Sequence, residues 1–319
     1  MQKHNGLMAP SMSGKKTGNL ILGLGLLLAV FLWGGTNAGT KFVLGVWPPM
    51  WTGGSRFLSA GLLLLGGLRW TDWLGRGSVL TPDIRRRLWW RGGLSLGVYI
   101  VVFNSALRYT TVSHVALYLG AAPVWALLWE GRPALAWGTL RRYGAAALAL
   151  TGVFVLFWPA LRASAGSWRG EVLGFAASVL WTNYGRQCRA LGAHLSGAQS
   201  SAHTMWRAGV LLLPFGMVEI WRSGLVWRAD LVWVHAYCIV AGGVVAFAVW
   251  NQALRHWPTS QVMLFNNLIP LSTMAWAWAC LGESVTRTFW LAMLLIVAGV
   301  ILGQANWQTI LAPCRRPTE

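Results

Sequence analysis

Charge is scarce in this chain. Asp, Glu, Lys and Arg make up 11% of its 319 residues, against about 25% in a soluble domain. With 55% of residues hydrophobic, too little charge is left to coat a water-facing globule, which excludes a soluble domain and a disordered chain. Cysteine is scarcer still. Cys188, Cys238, Cys280 and Cys314 form no CxxC pair and have no histidine at ligand spacing. A disulfide-built scaffold and a metal centre are therefore both disfavoured, and the four are read as buried apolar thiols. Nor do acids, histidines or nucleophiles cluster as an embedded enzyme requires, so no enzyme, cofactor or metal is expected. What remains is a polytopic membrane protein.

Acidic residues are fewer than basic ones, 8 against 26, for a net charge of +18. The basic residues lie mostly in short loops between apolar runs, with no contiguous soluble basic domain. They therefore point to membrane orientation and anionic headgroups rather than to nucleic acid.

After a polar, basic stretch to Thr17, apolar runs follow one another to Trp307. They predict helices over 19–41, 50–69, 90–109, 113–131, 142–160, 170–188, 202–221, 231–254, 260–281 and 287–307. Most are near the 20 or so residues that span a hydrocarbon core. Helix is the choice because lipid demands internal satisfaction of every peptide group, and the alternation of a membrane barrel strand is absent. The first run is too long for a signal peptide, lacks a convincing small-residue cleavage site, and reads as an uncleaved helix. With the N-terminus inside, inner segments hold about 17 Lys and Arg and outer segments about 7, as the positive-inside rule requires. Ten spans put both termini in the cytoplasm of a cell with an inner membrane.

The chain repeats itself. Asn104–Tyr109 reads NSALRY and Asn251–His256 reads NQALRH, an offset of 147 that also carries Pro123 onto Pro270 and Gly152 onto Gly299. At offset 148, Leu32–Trp33 maps onto Leu180–Trp181 and Lys41 onto Arg189. Each repeat holds five helices. Five is odd, so the second repeat enters the membrane from the opposite side. The expected architecture is an all-α membrane protein with ten transmembrane helices in two inverted repeats. The expected parts are a cytoplasmic tail over 1–18, repeats over 19–160 and 161–309, and a second tail over 310–319. Inverted pairs suit alternating access to a site between the halves.

LWGGTNAGTK at Leu32–Lys41, SRFLSAGLLLL from Ser55 and ALRYTTVSHVALYLGAAPV from Ala106 resemble one EamA repeat. ALRHWPTSQVMLFNNLIPL from Ala253, LGE at Leu281–Glu283 and AGV at Ala298 resemble a second. The chain is thus similar to the EamA type of the drug/metabolite transporter superfamily, from about Asn19 to Trp307. The resemblance implies a central cavity lined mainly by the first, third, fourth, sixth, eighth and ninth helices, and export of small metabolites or drugs. The first repeat departs from the pattern: Ala136 stands where Glu283 does in the second, and Glu130 lies six residues earlier, which leaves the end of the fourth helix open.

Carboxylates near span centres are lacking. Glu130 is the candidate titrating acid, set against a helix-end carboxylate near Arg132, and His114 is a second candidate proton site, set against a solvated or capping role. Amides in spans should face the bundle interior. Asn37, Asn104, Asn183, Asn251, Asn266 and Asn267 are therefore candidates for substrate contact or for interhelical ties. Asn266 and Asn267 map onto Leu119 and Gly120 and so break the symmetry. Trp47, Trp51, Trp89, Trp90, Trp221, Trp227 and Trp307 suit interfacial anchors, whereas Trp33, Tyr99, Tyr118, Trp181, Tyr184 and Trp250 lie deeper and suit either packing or an aromatic, amphipathic solute. Arg56 and Arg207 fall within spans, close enough to their ends to snorkel; Arg56 also matches an Arg of the family, with contact to a substrate anion as the other reading. Pro123 and Pro270 are candidate hinges for two gates. Together these readings predict a secondary transporter, an exporter of a small amphipathic, aromatic or amino-acid-like metabolite or drug. Membrane lipids are its surroundings and proton coupling is an option, in a monomer or homodimer. The rival is a lipid-handling flippase of the same fold.

Overall fold

The computed structural model describes residues 12–70, 78–131, 136–163, 167–281 and 287–304. Arg132, Glu283, Trp307, Cys314, residues 1–11 of the expected first tail and all of the second lie outside the described residues, and the remainder of the first tail, from Met12, is part of the first helix. Among those described, all regular structure is helical. It forms ten rods. The first two are α1 (Met12–Leu44) and α2 (Pro49–Trp70). The third runs through α3 (Pro82–Arg87), a π-helical segment Leu88–Gly93 and α4 (Leu94–Tyr109). The fourth is α5 (Val112–Gly120) and α6 (Ala122–Glu130), and the fifth is α7 (Trp137–Ala163). Then come α8 (Trp168–Leu191) and α9 (Gly197–Ser223). The eighth joins α10 (Ala229–Tyr237), a π-helical Cys238–Ala246 and α11 (Phe247–His256). The ninth joins α12 (Thr259–Leu264), a 3-10 turn Phe265–Leu268 and α13 (Ile269–Leu281), and α14 (Arg287–Gln304) is the tenth.

The third and fifth rods begin earlier than the apolar runs do. Thr81 caps α3, its hydroxyl accepting from the Ile84 amide at 3.4 Å, with Pro82 at the first helical turn. Hydrophobicity marks only the hydrocarbon-length part of a helix, and its charged extension is invisible to it. A full capping box between Ser196 and Gln199 opens α9, and Gly224 at φ 72 closes it. Trp47, expected at an interface, is buried instead, its Nε1 donating to the Val226 carbonyl at 2.8 Å.

By length and composition, Gly18–Leu44, Trp137–Pro159, Ala229–His256 and Arg287–Gln304 are apolar enough to cross a membrane. The outer flanks of the rods expose large apolar side chains such as Leu24, Phe31, Leu63, Leu294 and Ile301, a surface that suits lipid and not water.

Equivalent rods from the two halves touch one another: second with seventh, fourth with ninth, fifth with tenth. A Cβ on Gly61 would stand 2.4 Å from the Trp206 nitrogen, and one on Gly209 would stand 2.5 Å from the Leu58 nitrogen. The offset of 148 turns one contact into the other. Gly152 lies against Ala292 and Ile296, and Gly299 against Ala145 and Ala149; here the offset of 147 does the same. Numbers along each pair run in opposite senses, so equivalent helices are antiparallel and the five-rod halves are upside down relative to each other. Only glycine permits backbones to approach this closely. The symmetry extends to the caps: Lys41 donates to the Leu107 carbonyl at 2.7 Å, and its counterpart Arg189 to the Leu254 carbonyl at 3.3 Å, each a cation at a helix C-terminus.

Candidate functional site

Between the halves lies a narrow cavity of about 70 Å³. Trp33, Asn37 and Thr40 on α1 form one wall, and Thr52, Gly53, Arg56 and Phe57 on α2 the next. Tyr99, Ile100, Phe103 and Asn104 face them from α4. Leu119, Trp181, Phe247, Asn266 and Ile269 complete the lining. Every rod of the set that the family resemblance implies contributes, and α2 is an addition to that set. A wider cleft of about 700 Å³ adjoins, bordered by Lys41, Trp47, Pro49, Arg108, Glu219 and Arg222. Asn104 belongs to both walls, and its amide donates to the Pro49 carbonyl at 3.0 Å. The cavity therefore neighbours the end that the charge bias reads as outer.

Aromatic rings close the other end. The repeat-related Trp33 and Trp181 meet edge to face, 5.6 Å between centroids, with Phe247 and Trp250 at 5.2 and 4.8 Å from Trp33. Beneath them Tyr184 and Trp250 are fully buried. The Tyr184 hydroxyl pairs with that of Thr204 at 3.0 Å, and the Asn251 amide donates to the Ser201 hydroxyl at 2.8 Å, which itself donates to the Phe247 carbonyl at 2.8 Å. Repeat-equivalent positions thus differ in state. Gly53, Phe57, Phe103 and Asn104 line the cavity, with Phe57 and Asn104 left 5% and 4% exposed, whereas their counterparts Ser201, Met205, Trp250 and Asn251 pack at 1% exposure or less and line no part of it.

Of the residues singled out by sequence, Trp33, Asn37, Arg56, Tyr99, Asn104, Trp181 and Asn266 come together on this wall. The others do not. Tyr184, Trp250 and Asn251 lie behind the aromatic floor. Asn183 ties α8 to α4, donating to the Ser95 hydroxyl at 3.2 Å. Tyr118 packs against Gly174 and the Phe175 ring. Asn267 is buried against Gly120, its two polar atoms without a partner. The two symmetry-breaking asparagines sit opposite their own repeat counterparts, for Asn266 donates to the Leu119 carbonyl at 3.1 Å. Pro123 follows the break at Ala121, and Pro270 follows the 3-10 turn.

Sequence reasoning did not select Thr40, Thr52, Gly53, Phe57, Ile100, Phe103, Leu119, Phe247 or Ile269. For Phe103 a signal existed, since the offset maps it onto Trp250; for Gly53 and Thr52 none did, because a small residue announces nothing until its neighbours are known.

Every described carboxylate sits at a helix N-terminus, where the macrodipole and unpaired amides favour it. Asp83, Glu171 and Asp230 occupy first turns. Glu219 accepts from the Met50 and Trp51 amides at 2.8 and 3.2 Å. Glu130 ends α6 and accepts from the Ser260 amide at 2.8 Å and its hydroxyl at 2.7 Å. His114 Nδ1 lies 2.7 Å from Glu171, which also accepts from the Thr110 hydroxyl at 2.9 Å; His114 Nε2 is buried without a partner. Among the described residues no three His, Cys, Asp or Glu come together as a metal site would need, and Cys188 and Cys238 are free and buried.

The sequence profile of the EamA-like transporter family matches residues 20–158 and again 168–303. An uncharacterized transporter of Archaeoglobus fulgidus is 23% identical over 286 residues, covering 88% of this chain and 96% of its own. The uncharacterized inner membrane transporter YedA of Escherichia coli is 24% identical over 289 residues, covering 87% and 89%. The S-adenosylmethionine/S-adenosylhomocysteine transporter of Chlamydia trachomatis is 25% identical over 301 residues, covering 87% and 86%. A solved crystal structure shares the fold, with a TM-score of 0.68 at 18% identity over 88% of this chain and 95% of that one.

Proposed function

The chain belongs to the EamA-like transporter family, and on that premise we propose that it is a secondary carrier exporting a small amphipathic or aromatic metabolite or drug by alternating access. All ten rods cross the inner membrane in this reading, the repeats divide at about residue 160, and both tails are cytoplasmic. The observation that carries the mechanism is the difference between equivalent positions. Asn104 and Phe103 line the cavity while Asn251 and Trp250 pack at 1% exposure or less, away from it. Two inverted halves with nearly the same internal packing can exchange these states, and the exchange opens the site to the other face. Pro123 and Pro270, each at an interrupted helix, serve as the paired hinges.

Rings on several sides and amides at the edges suit a flat solute with a polar end. The Chlamydia relative is named for S-adenosylmethionine and S-adenosylhomocysteine, solutes that join an aromatic base to an amino-acid end. Of the two proton sites expected from sequence, His114 retains an unpaired ring nitrogen, whereas both Glu130 oxygens are engaged at the start of α12. We therefore assign any coupled proton to the His114–Glu171 pair.

Counterflow in proteoliposomes with a panel of amino acids, aromatic metabolites and drugs tests the proposal. Saturable, solute-specific counterflow is expected. Lipid scrambling without solute counterflow would instead establish the flippase reading.

A further inference from the structure

Arg56 is the single charged side chain among the described residues of the cavity wall. Its Nη1 donates to the Thr40 hydroxyl at 3.0 Å, and its Nε is buried without a partner. None of the described ion pairs involves it. Its carbon lies 5.2 Å from the Phe57 ring centre, which steadies the guanidinium by a cation–π contact. The offset of 148 puts Thr204 at the matching place in the other half, so the charge is present once, not twice. The adjoining cleft is also basic: Lys41, Arg108 and Arg222 face one acid, Glu219, whose Oε2 is occupied by two α2 amides.

Two positive fields in series, a wide one at the mouth and a single uncompensated charge inside, favour an anion at each stage. A guanidinium presents a fixed fork of donors that a carboxylate matches with two parallel hydrogen bonds. A dianion would leave one negative charge unbalanced in a site of low dielectric, and an amine would meet a like charge. On the same cavity lining, Tyr99 and Trp181 stand with ring centres 5.1 Å apart, offering an aromatic platform. We propose that the carried solute is an aromatic monocarboxylate, its carboxylate held by the free edge of Arg56 and its ring set against Tyr99 and Trp181. This rests on the carrier reading above and names the substrate class of the same site.

The test uses three probes with one ring system and three charges: indole-3-acetate, indole and tryptamine, each measured for binding to the purified full chain in nanodiscs and for counterflow in proteoliposomes. Indole-3-acetate is expected to bind saturably and to raise the melting temperature, with indole weaker and tryptamine weakest. Arg56→Gln should weaken indole-3-acetate binding by about tenfold or more and indole binding by much less, with Arg56→Lys in between for the acid. Tryptamine or indole binding as tightly as the acid in the wild-type chain overturns the inference, a comparison that needs no variant. So does unchanged acid affinity in Arg56→Gln, or no binding of any probe. Acid binding without counterflow upholds the ligand class assigned to the Arg56 site and removes the carrier reading; counterflow of tryptamine without acid binding does the reverse.

Discussion

Asn104 and Asn251 occupy the same place in the two repeats and meet different surroundings. Beside Asn104 stands Gly53 and an open cavity; beside Asn251 stands Ser201, the repeat counterpart of Gly53, and a hydrogen bond of 2.8 Å. Interhelical hydrogen bonds in membranes are worth about 0.6–2 kcal/mol. Asn251→Ala should therefore lower thermal stability by that order and leave the KM for counterflow unchanged, whereas Asn104→Ala, which loses the bond to the Pro49 carbonyl, should lower stability similarly and also raise the KM several-fold. Equal effects of the two on KM would contradict the split. The titratable residues separate in the same way. An imposed pH gradient should drive uptake in wild type and in Glu130→Gln, where the Ser260 contacts can still form, and should fail to do so in His114→Asn. That amides belonged inside was legible, since an unpaired amide in lipid is costly. Which amide faces a cavity and which a hydroxyl was not, because glycine and serine differ by one group whose partner lies some fifty residues or more away.

At the scale of elements, the interrupted rods are the informative ones. The fourth breaks at Ala121 before Pro123, and the ninth narrows to a 3-10 turn before Pro270. The Asn266 amide bridges the two rods there, donating to the Leu119 carbonyl. Proline cannot donate the backbone bond that would straighten such a site. Pro270→Ala should restore a continuous helix and slow counterflow while leaving expression and folding intact; counterflow at the wild-type rate would remove the hinge assignment. The third and eighth rods each carry a π-helical segment with a glycine pair, Gly92–Gly93 against Thr204 and Arg207, and Gly242–Gly243 against Thr36 and Ala60. Prolines were readable as breaks from the chain alone. The π segments were not, for their sequences are as apolar and glycine-containing as an ordinary membrane helix, and only packing against α9 and α2 selects the wider turn.

For the molecule as a whole, the inversion of its halves leads to a test of state. A cysteine placed at 104 in a variant lacking Cys188, Cys238, Cys280 and Cys314 should react with a membrane-impermeant maleimide added from outside, and one at 251 should be protected. Saturating solute should shift both rates in opposite directions, and reaction of both at equal rates would contradict a structure open at one end only. The repeat, its inversion and the helical class could be read from the residues, because helix length in lipid is set by bilayer thickness and an odd number of spans per repeat must reverse the second copy. Apolar composition and loop charge carry that information locally, residue by residue. The tertiary structure alone decided which half holds the cavity, that Trp33 and Trp181 meet on its lining, and that Arg56 lines it with no acid paired to it among the described residues. Those are outcomes of how two nearly equivalent surfaces settle against each other, and a sequence that repeats cannot say which of its copies takes which arrangement.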